Sequence, residues 1–499
     1  MERTTNRRLV TLGMLVAILL VAIDVTVVGT AMPKIVADLG GLESFSWVFA
    51  IYTLTTSVTT PIYGKLADLY GRKVIFTVGV ILFLIGSALS GLSHSMSQLI
   101  WFRGLQGIGA GAVMPLTFTI IGDLFPGEQR ARMQGLFSSI WGIAGLLGPL
   151  VGGFFVDNVT WQWIFYINIP VGIVSLVLVW VALHEKFEKK ARRHIDVGGA
   201  LTFTIGVSAL LYALLNGGQK YAWDSAAIIG LFVLAVLALA LFVWIEARVQ
   251  EPMLPLFLFK HRVILMSNLV GFLTSCVLIG LTAYLPYWIQ DIIGFSATSS
   301  GLTLMPLSIA WPIGATLAGR YMYRVGSKLT AVAGTLLITA GAIWLACITL
   351  VSPAWMFVAV MVLSGLGMGY ATTPITVLIQ SAVGWNLRGA ATASSTFVRS
   401  LGQTVGIAIL GTMFNQSLAS YAKAHLQHQN GIPQGDVSTV LQPAAVQRLP
   451  QNVQNLLHQV LAHGLHTVFV AMLVGAILSV VAVAFMPLHR TIMKQQVQE

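Results

Sequence analysis

GKLADLYGRK, residues 64–73, is a short charged interruption between two apolar runs, and how it is read decides the fold. Gly64 and Gly71 bracket a turn, where backbone conformation is demanding. Asp68 and Arg72 can serve there in ion pairs and helix-end contacts. Taken alone, the stretch reads equally well as a solvated loop. GRYMYRVGSK, residues 319–328, argues otherwise: it repeats the glycine–six residues–glycine frame, with Tyr323 where Asp68 stands. Paired frames in two halves of one chain point to a duplicated transporter.

Composition supports a membrane setting. The 499 residues are 56% hydrophobic and only 9% charged, against about 25% charged in a soluble domain. Apolar runs at 9–31, 46–64, 74–92, 97–122, 131–155, 161–182, 196–216 and 224–245 each suit one crossing. Six more lie at 263–288, 299–320, 328–350, 354–379, 388–415 and 464–487. A crossing needs about 20 helical residues, so fourteen spans are expected. Most of the 28 Lys and Arg then fall on one side, which makes that side cytoplasmic and places both termini there. The net charge of +11 marks the inner leaflet rather than a nucleic-acid partner. The first run is too long for a cleaved signal peptide and is followed by further spans.

Several chemistries are excluded. Cys276 and Cys347 both sit in apolar runs, which gives neither a disulfide framework nor a thiolate zinc cluster. No GxxxxGK[ST] phosphate loop occurs, and Gly107, Gly109 and Gly111 lie within a span rather than after a strand. Neither an enzyme nor an ATP-driven pump is expected, and no cofactor or metal. The division expected is 1–183, a six-helix half-bundle; 184–262, a basic linker with two extra spans and a loop; 263–487, a second half-bundle; and 488–499, a tail. Within the outer loop 416–463, Val453, Leu456, Leu457, Val460 and Leu461 follow helical spacing, which predicts an interfacial amphipathic helix. His425, His428, His458, His463 and His466 read as a solvated face rather than metal ligands.

Three spans carry residues that lipid does not favour. Asp24 interrupts the first, in LLVAIDVTVVGTAMP (19–33); an ionised Asp at mid-bilayer costs about 2.5–3.5 kcal/mol on insertion scales. In the fourth, Arg103, Gln106, Gly107, Ala110 and Gly111 share one face. Arg103 must face protein, water or a headgroup, and Asp24 is its natural counter-ion. In the thirteenth, Arg399 stands in TFVRSLGQTVGIAILG (396–411), with no acid between Leu387 and Gln416. Aromatic residues at mid-depth, with Gln106 and Arg399, define a candidate substrate cavity: Phe118, Phe137, Trp141, Tyr284, Trp311 and Phe397. Such walls suit flat, lipophilic or cationic molecules, although packing uses the same residues.

GKLADLYGRK closely resembles the loop signature of the major facilitator superfamily. IDVTVVGTAMPKI, LIWFRGLQGIGAGAVMP (99–115), GIAGLLGPLVGG (142–153) and WQWIFYINIPVG (161–172) resemble motifs of its fourteen-helix drug/proton antiporter branch, the EmrB/QacA-like group. Members often have Arg where Gln162 stands. The resemblance spans essentially the whole chain. It implies an all-α membrane protein of the major facilitator fold, with two six-helix half-bundles and two extra transmembrane helices. It further implies proton coupling at Asp24 and Arg103, and an inner gate of Gly64, Asp68, Gly71, Arg72 and Asp123. Gly145, Gly148, Pro149, Gly152 and Gly153 would form the antiporter helix, a hinge and seal; generic tight packing is the plainer alternative. The function implied is alternating-access export of amphiphilic or cationic drugs from the cell in exchange for protons, by a monomer in the plasma membrane. Export of an endogenous solute (siderophore, lipid, amino acid or metabolite) and uncoupled facilitation on the same fold stay open.

Overall fold

The computed structural model describes residues 5–40, 46–125, 127–185, 196–218, 221–249, 252, 257–294, 297–350, 352–426 and 451–487. Most of the basic linker, the middle of the outer loop and the 488–499 tail lie outside them. The described chain is helical, as a bilayer requires of any backbone that must satisfy its own polar groups. Fourteen long helices follow in order: α1 (Arg7–Leu39), α2 (Ser46–Tyr70), α3 (Arg72–Gly91), α4 (Met96–Leu124), α5 (Gly127–Asn158), α6 (Asn168–Ala182), α7 (Val197–Asn216) and α8 (Ala226–Glu246). Then come α9 (Arg262–Tyr287), α10 (Ala297–Val325), α11 (Ser327–Ala346), α12 (Ala354–Ser381), α13 (Arg388–Leu426) and α14 (Gln451–Ala484). Several starts are set by side-chain caps: Asn6, Ser95, Asp196 and Ser225 each accept a first-turn amide.

Among the described residues, 12 helical segments are long and apolar enough to cross a membrane. The fourteen expected spans therefore reduce to 12 by this measure. The two that fall short are α2 and α10, although they run 25 and 29 residues. Threonines and serines dilute α2, which spends several of its hydroxyls on its neighbour: Thr56 and Thr60 donate to the Gly107 and Gly111 carbonyls of α4.

Helices α1–α6 pack together and α9–α14 pack together. The first group is centred on Met14, Phe76, Phe83 and Phe137, and the second on Leu285, Phe357, Val468 and Phe469. The groups meet where α5 lies along α10 and α2 along α13. Helices α7 and α8 form a hairpin whose first arm touches both α2 and α13. Phe203 of α7 sits 5.2 Å from both Phe242 of α8 and Phe397 of α13.

The two repeated frames share a backbone. Gly71, between α2 and α3, has φ 94°, and Gly326, between α10 and α11, has φ 96°. Both lie in the left-handed region that side chains avoid. The outer loop is corrected: residues 453–461 form the opening turns of α14 and not a separate interfacial helix. Of the stripe, Val460 and Leu461 join the second group's core. His463 stacks on Tyr421 at 4.5 Å, and the His466 ring bonds the Ala346 carbonyl at 2.8 Å.

Glycine decides how closely the helices approach. A Cβ on Gly109 of α4 would stand 2.6 Å from the Gly79 carbonyl and 2.7 Å from Phe83 Cα, both on α3, whereas one on Gly230 of α8 would meet nothing. Gly109→Val should therefore destabilise the protein by about 1–3 kcal/mol or more, since backbone must move. Gly230→Ala should be neutral or stabilising by up to about 1 kcal/mol through helix propensity. Thermal unfolding in detergent checks both, and equal effects would contradict the packing described.

Candidate functional site

The polar centre of the first group is built on three helices. Arg103 on α4 and Asp24 on α1 are each about 1% exposed. Arg103 Nη1 donates to Asp24 Oδ2 at 2.6 Å and to Gln106 Oε1 at 2.7 Å. Asp24 Oδ1 accepts from Gln106 Nε2 at 2.8 Å and from Asn168 Nδ2, on α6, at 3.0 Å. Asn168 also donates to Ser87 Oγ of α3, which donates to the Phe165 carbonyl. The guanidinium lies over the Tyr52 ring, 4.2 Å from its centroid, a favourable cation–π placement. Arg103 thus pairs with an acid rather than snorkelling. The carboxylate holds three charge-assisted or amide bonds in a dry site, so protonating it disturbs residues on α4 and α6 together.

Sequence reading paired Asp24 with Arg103 but missed Asn168, Ser87 and Tyr52. Asn168 alone gave a signal, as an amide inside the apolar run of WQWIFYINIPVG. Gln106 was assigned to a substrate cavity. It is fully buried and belongs to this network instead.

A second polar cluster joins the two groups at the end carrying the 64–73 loop. Asp68 accepts the Gly389 amide at 3.2 Å and the Ala390 amide at 2.9 Å. It thereby caps the start of α13, where unsatisfied amides favour negative charge. Arg72 pairs with Asp123 of α4, donates to the Trp385 carbonyl at 2.9 Å and lies 4.0 Å from the Trp385 ring centroid. Arg388 reaches Asp123 at 3.2 Å from the other group. Gly64 permits the approach, because a Cβ there would stand 2.8 Å from the Gly389 carbonyl and run into Ala393. Asp68 lies beyond the apolar part of α2. Burial pushes its carboxyl up to about 7, against the pull of Arg72 and the two amides and with a small push from Asp123. Arg388 and Trp385 were not singled out from sequence; Arg388 was hidden among the ordinary basic residues of that side.

On α5 the glycines divide. Gly142 faces the Ser308 carbonyl of α10, a Cβ added at Gly145 would meet Ser308 at ordinary distance, and Gly148 faces Thr26 of α1. Gly152 is buried. Gly153 does not share that contact face: a Cβ there would meet nothing. The Pro149 side chain lies outside the described residues.

The aromatic cavity is also redrawn. Phe137 is fully buried in the first group's core, with its ring centroid 6.4 Å from that of Phe118. Tyr284 packs on Phe414, and Phe397 packs on the α7 hairpin. Trp141 and Trp311 are half-buried on separate cores. Arg399 is half-buried, its stem against Gly271 of α9. Among the described residues no three His, Cys, Asp or Glu side chains gather as metal ligands.

Residues 14–407 match the family model of the Major Facilitator Superfamily. The chain is 38% identical over 490 residues to the multidrug transporter protein MdtP of Bacillus subtilis, covering 94% of this chain and 90% of that one. It is 35% identical over 498 residues to multidrug resistance protein 3 of the same organism, covering 97% of each. In fold it is similar to the human organic anion transporter MFSD10, with a TM-score of 0.65 at 13% identity over 95% of this chain and 99% of that one. The proton:xylose symporter XylE gives 0.61 at 15% identity over 96% and 95%. These matches extend over nearly the whole molecule, and they join the paired glycine frames and the helical packing in one conclusion: the chain belongs to the major facilitator superfamily, as a multi-pass membrane transporter and not an enzyme.

Proposed function

We propose that this transporter exports amphiphilic or cationic drug-like molecules across the plasma membrane in exchange for protons. The carrying observation is the buried Asp24–Arg103 pair, a costly mid-span acid placed where it can take up a proton. Two relatives named for multidrug transport or resistance support the cargo class. In this reading α2 and α10 also cross the bilayer, which gives fourteen spans. The domains divide as 1–183, 184–262, 263–487 and 488–499. Both termini are cytoplasmic, and the chain works as a monomer.

The cross-group contacts run from the loop end to about mid-depth: Asp68 with α13, Asp123 with Arg388, Gln380 with the Phe118 carbonyl, and Gly142 with Ser308. With the basic end inside, this is a state closed to the cytoplasm. A proton loaded on Asp24 from outside would release Arg103, Gln106 and Asn168 from its oxygens. The resulting repacking of α1, α4 and α6 is the step that couples to reopening at Asp68 and Arg72. Uncoupled facilitation is the reading to beat.

Removing one partner of a buried pair costs about 3–5 kcal/mol, because the other charge is stranded. Asp24→Asn should therefore lower stability as well as abolish export driven by a pH gradient in proteoliposomes. The double variant Asp24→Asn with Arg103→Gln should recover most of the stability and none of the coupling. If the double variant still builds a cargo gradient that an uncoupler collapses, the coupling site lies elsewhere. Downhill cargo flux at the wild-type rate, with no proton movement in the wild type either, would favour the facilitator.

The gate should respond to pH through Asp68. Opening hydrates its carboxyl and returns it towards about 4, so the closed gate binds the proton more tightly. That contribution to closure is complete below the open-state value and is lost as pH rises through about 7. Labelling of a Thr392→Cys variant, lacking Cys276 and Cys347, should accelerate from pH 6 to pH 8 when an impermeant maleimide reaches the basic face. Asp68→Asn should flatten the profile, after correction for thiolate reactivity. A wild-type profile as flat as that variant's would remove Asp68 from the gate's proton response.

A further inference from the structure

The second group contains a charge with no partner. Arg399 stands eleven residues into α13, about 16 Å along the helix and so near mid-depth. Its guanidinium makes no hydrogen bond or ion pair among the described residues. Thr392, Thr396, Arg399 and Gln403 recur at i, i+4, i+7 and i+11, which makes one polar stripe on an apolar helix. That stripe faces the seam between the groups: Gln380 Nε2 donates to Thr392 Oγ1 at 3.3 Å and to the Phe118 carbonyl of α4 at 3.2 Å. The Gln403 amide, one turn above Arg399, is likewise unpartnered among the described residues.

A second helix contributes. A Cβ on Gly271 of α9 would stand 3.2 Å from Arg399 Cγ. One turn earlier, Asn268 is only 4% exposed, and neither its Nδ2 nor its Oδ1 has a partner. Buried amides in folded proteins are normally satisfied, and a mid-span cation needs compensation. The chain supplies none locally: between residues 262 and 487 the only carboxylates are Asp291 and Asp436, both outside α9–α14. In the first group Asp24 is already held by Arg103.

We propose that Arg399, with Gln403 and Asn268, seats a single anionic group, supplied by an acidic cargo molecule or by free chloride. The inference rests on the exporter reading for its purpose and narrows the cargo class. An acidic or zwitterionic amphiphile brings its own counter-ion, whereas a cationic cargo needs chloride between it and Arg399. The planar guanidinium and two amide NH₂ groups are donors of the kind carboxylates and sulfonates accept.

Equilibrium binding to purified full-length protein in detergent tests this with three probes on one aromatic body: pyrenebutyrate, its neutral amide and pyrenebutylammonium. In chloride-free buffer of low ionic strength, wild type should bind pyrenebutyrate about tenfold or more tightly than the ammonium, the scale of one charge-assisted hydrogen bond. Arg399→Gln should erase that margin and leave the neutral amide's affinity unchanged, while Arg399→Lys should keep part of it. Asn268→Leu should weaken the carboxylate alone. If chloride is the source, added sodium chloride should raise the cargo-free protein's thermal midpoint, and the rise should vanish in Arg399→Gln. Absence of both effects in wild type, or survival of either in Arg399→Gln, overturns the site. Binding is read without a gradient, so this outcome is separate from the proton-driven transport test on Asp24 and Arg103.

Discussion

A guanidinium and a carboxylate inside an apolar bundle must find each other, and the meeting of Arg103 with Asp24 at 2.6 Å constrains much of the first group. It fixes the depth and rotation of α4 against α1, and through Asn168 it fixes α6. The surrounding glycines are spaced to make room. A Cβ on Gly86 of α3 would stand 2.6 Å from Gln106 Cα, and one on Gly107 would stand 2.6 Å from the Tyr52 carbonyl. Without those gaps Gln106 could not settle under the carboxylate, nor the Tyr52 ring under the guanidinium. Polar chemistry at this point therefore depends on missing side chains one helix away.

Carboxylates are distributed unevenly, and this shapes what each half does. The helices of the first group carry Asp24, Asp38, Asp68, Asp123, Glu128 and Asp157; the long helices of the second carry none. At the loop end the first group supplies the acids and the second supplies amides, Arg388 and the Trp385 carbonyl. The duplicated frame has diverged at one decisive position. Gly71 and Gly326 keep the same backbone, but Tyr323 cannot cap a helix as Asp68 does. A duplication that began symmetric has become one gripping half and one gripped half.

What could be read from sequence follows from how rare a signal is in a membrane chain. Asp24, Arg103 and the 64–73 loop stand out because charge in an apolar run is costly wherever it points. Asn168, Ser87 and Tyr52 do not, since neutral polar residues are tolerated in spans and their meaning depends on helix rotation. Rotation also undid the aromatic cavity: Phe137 and Phe397 have suitable side chains but face a core and a hairpin. The 453–461 stripe met a related limit: it opens α14, and its Val460 and Leu461 pack in the second group's core. Periodicity reports that one face is apolar, and only the packed partner tells whether lipid or protein covers it. The hydropathy of α2 is lowered by hydroxyls that serve contacts with α4, so composition undercounts a helix engaged with its neighbour.

The contacts joining the α2–α3 end of the first group to the second group differ in kind, and the difference bears on how the halves can move. At the loop end Asp68 and Arg72 bind named atoms directionally, with distances near 3 Å that a small rotation would break. Farther along, α7 bridges α2 and α13 through Leu54, Val58, Phe203, Val207, Phe397 and Leu401, a surface of rings and methyl groups. Dispersion contacts have no preferred direction, and each atom pair contributes only about 0.1–0.2 kcal/mol, so such a surface can slide while it stays dry. The hairpin therefore restrains separation at the α2–α13 seam more than it restrains rotation. Angular control falls to the ion pairs and the capped helix start, where one proton or one lost hydrogen bond changes the balance by as much as many apolar contacts together.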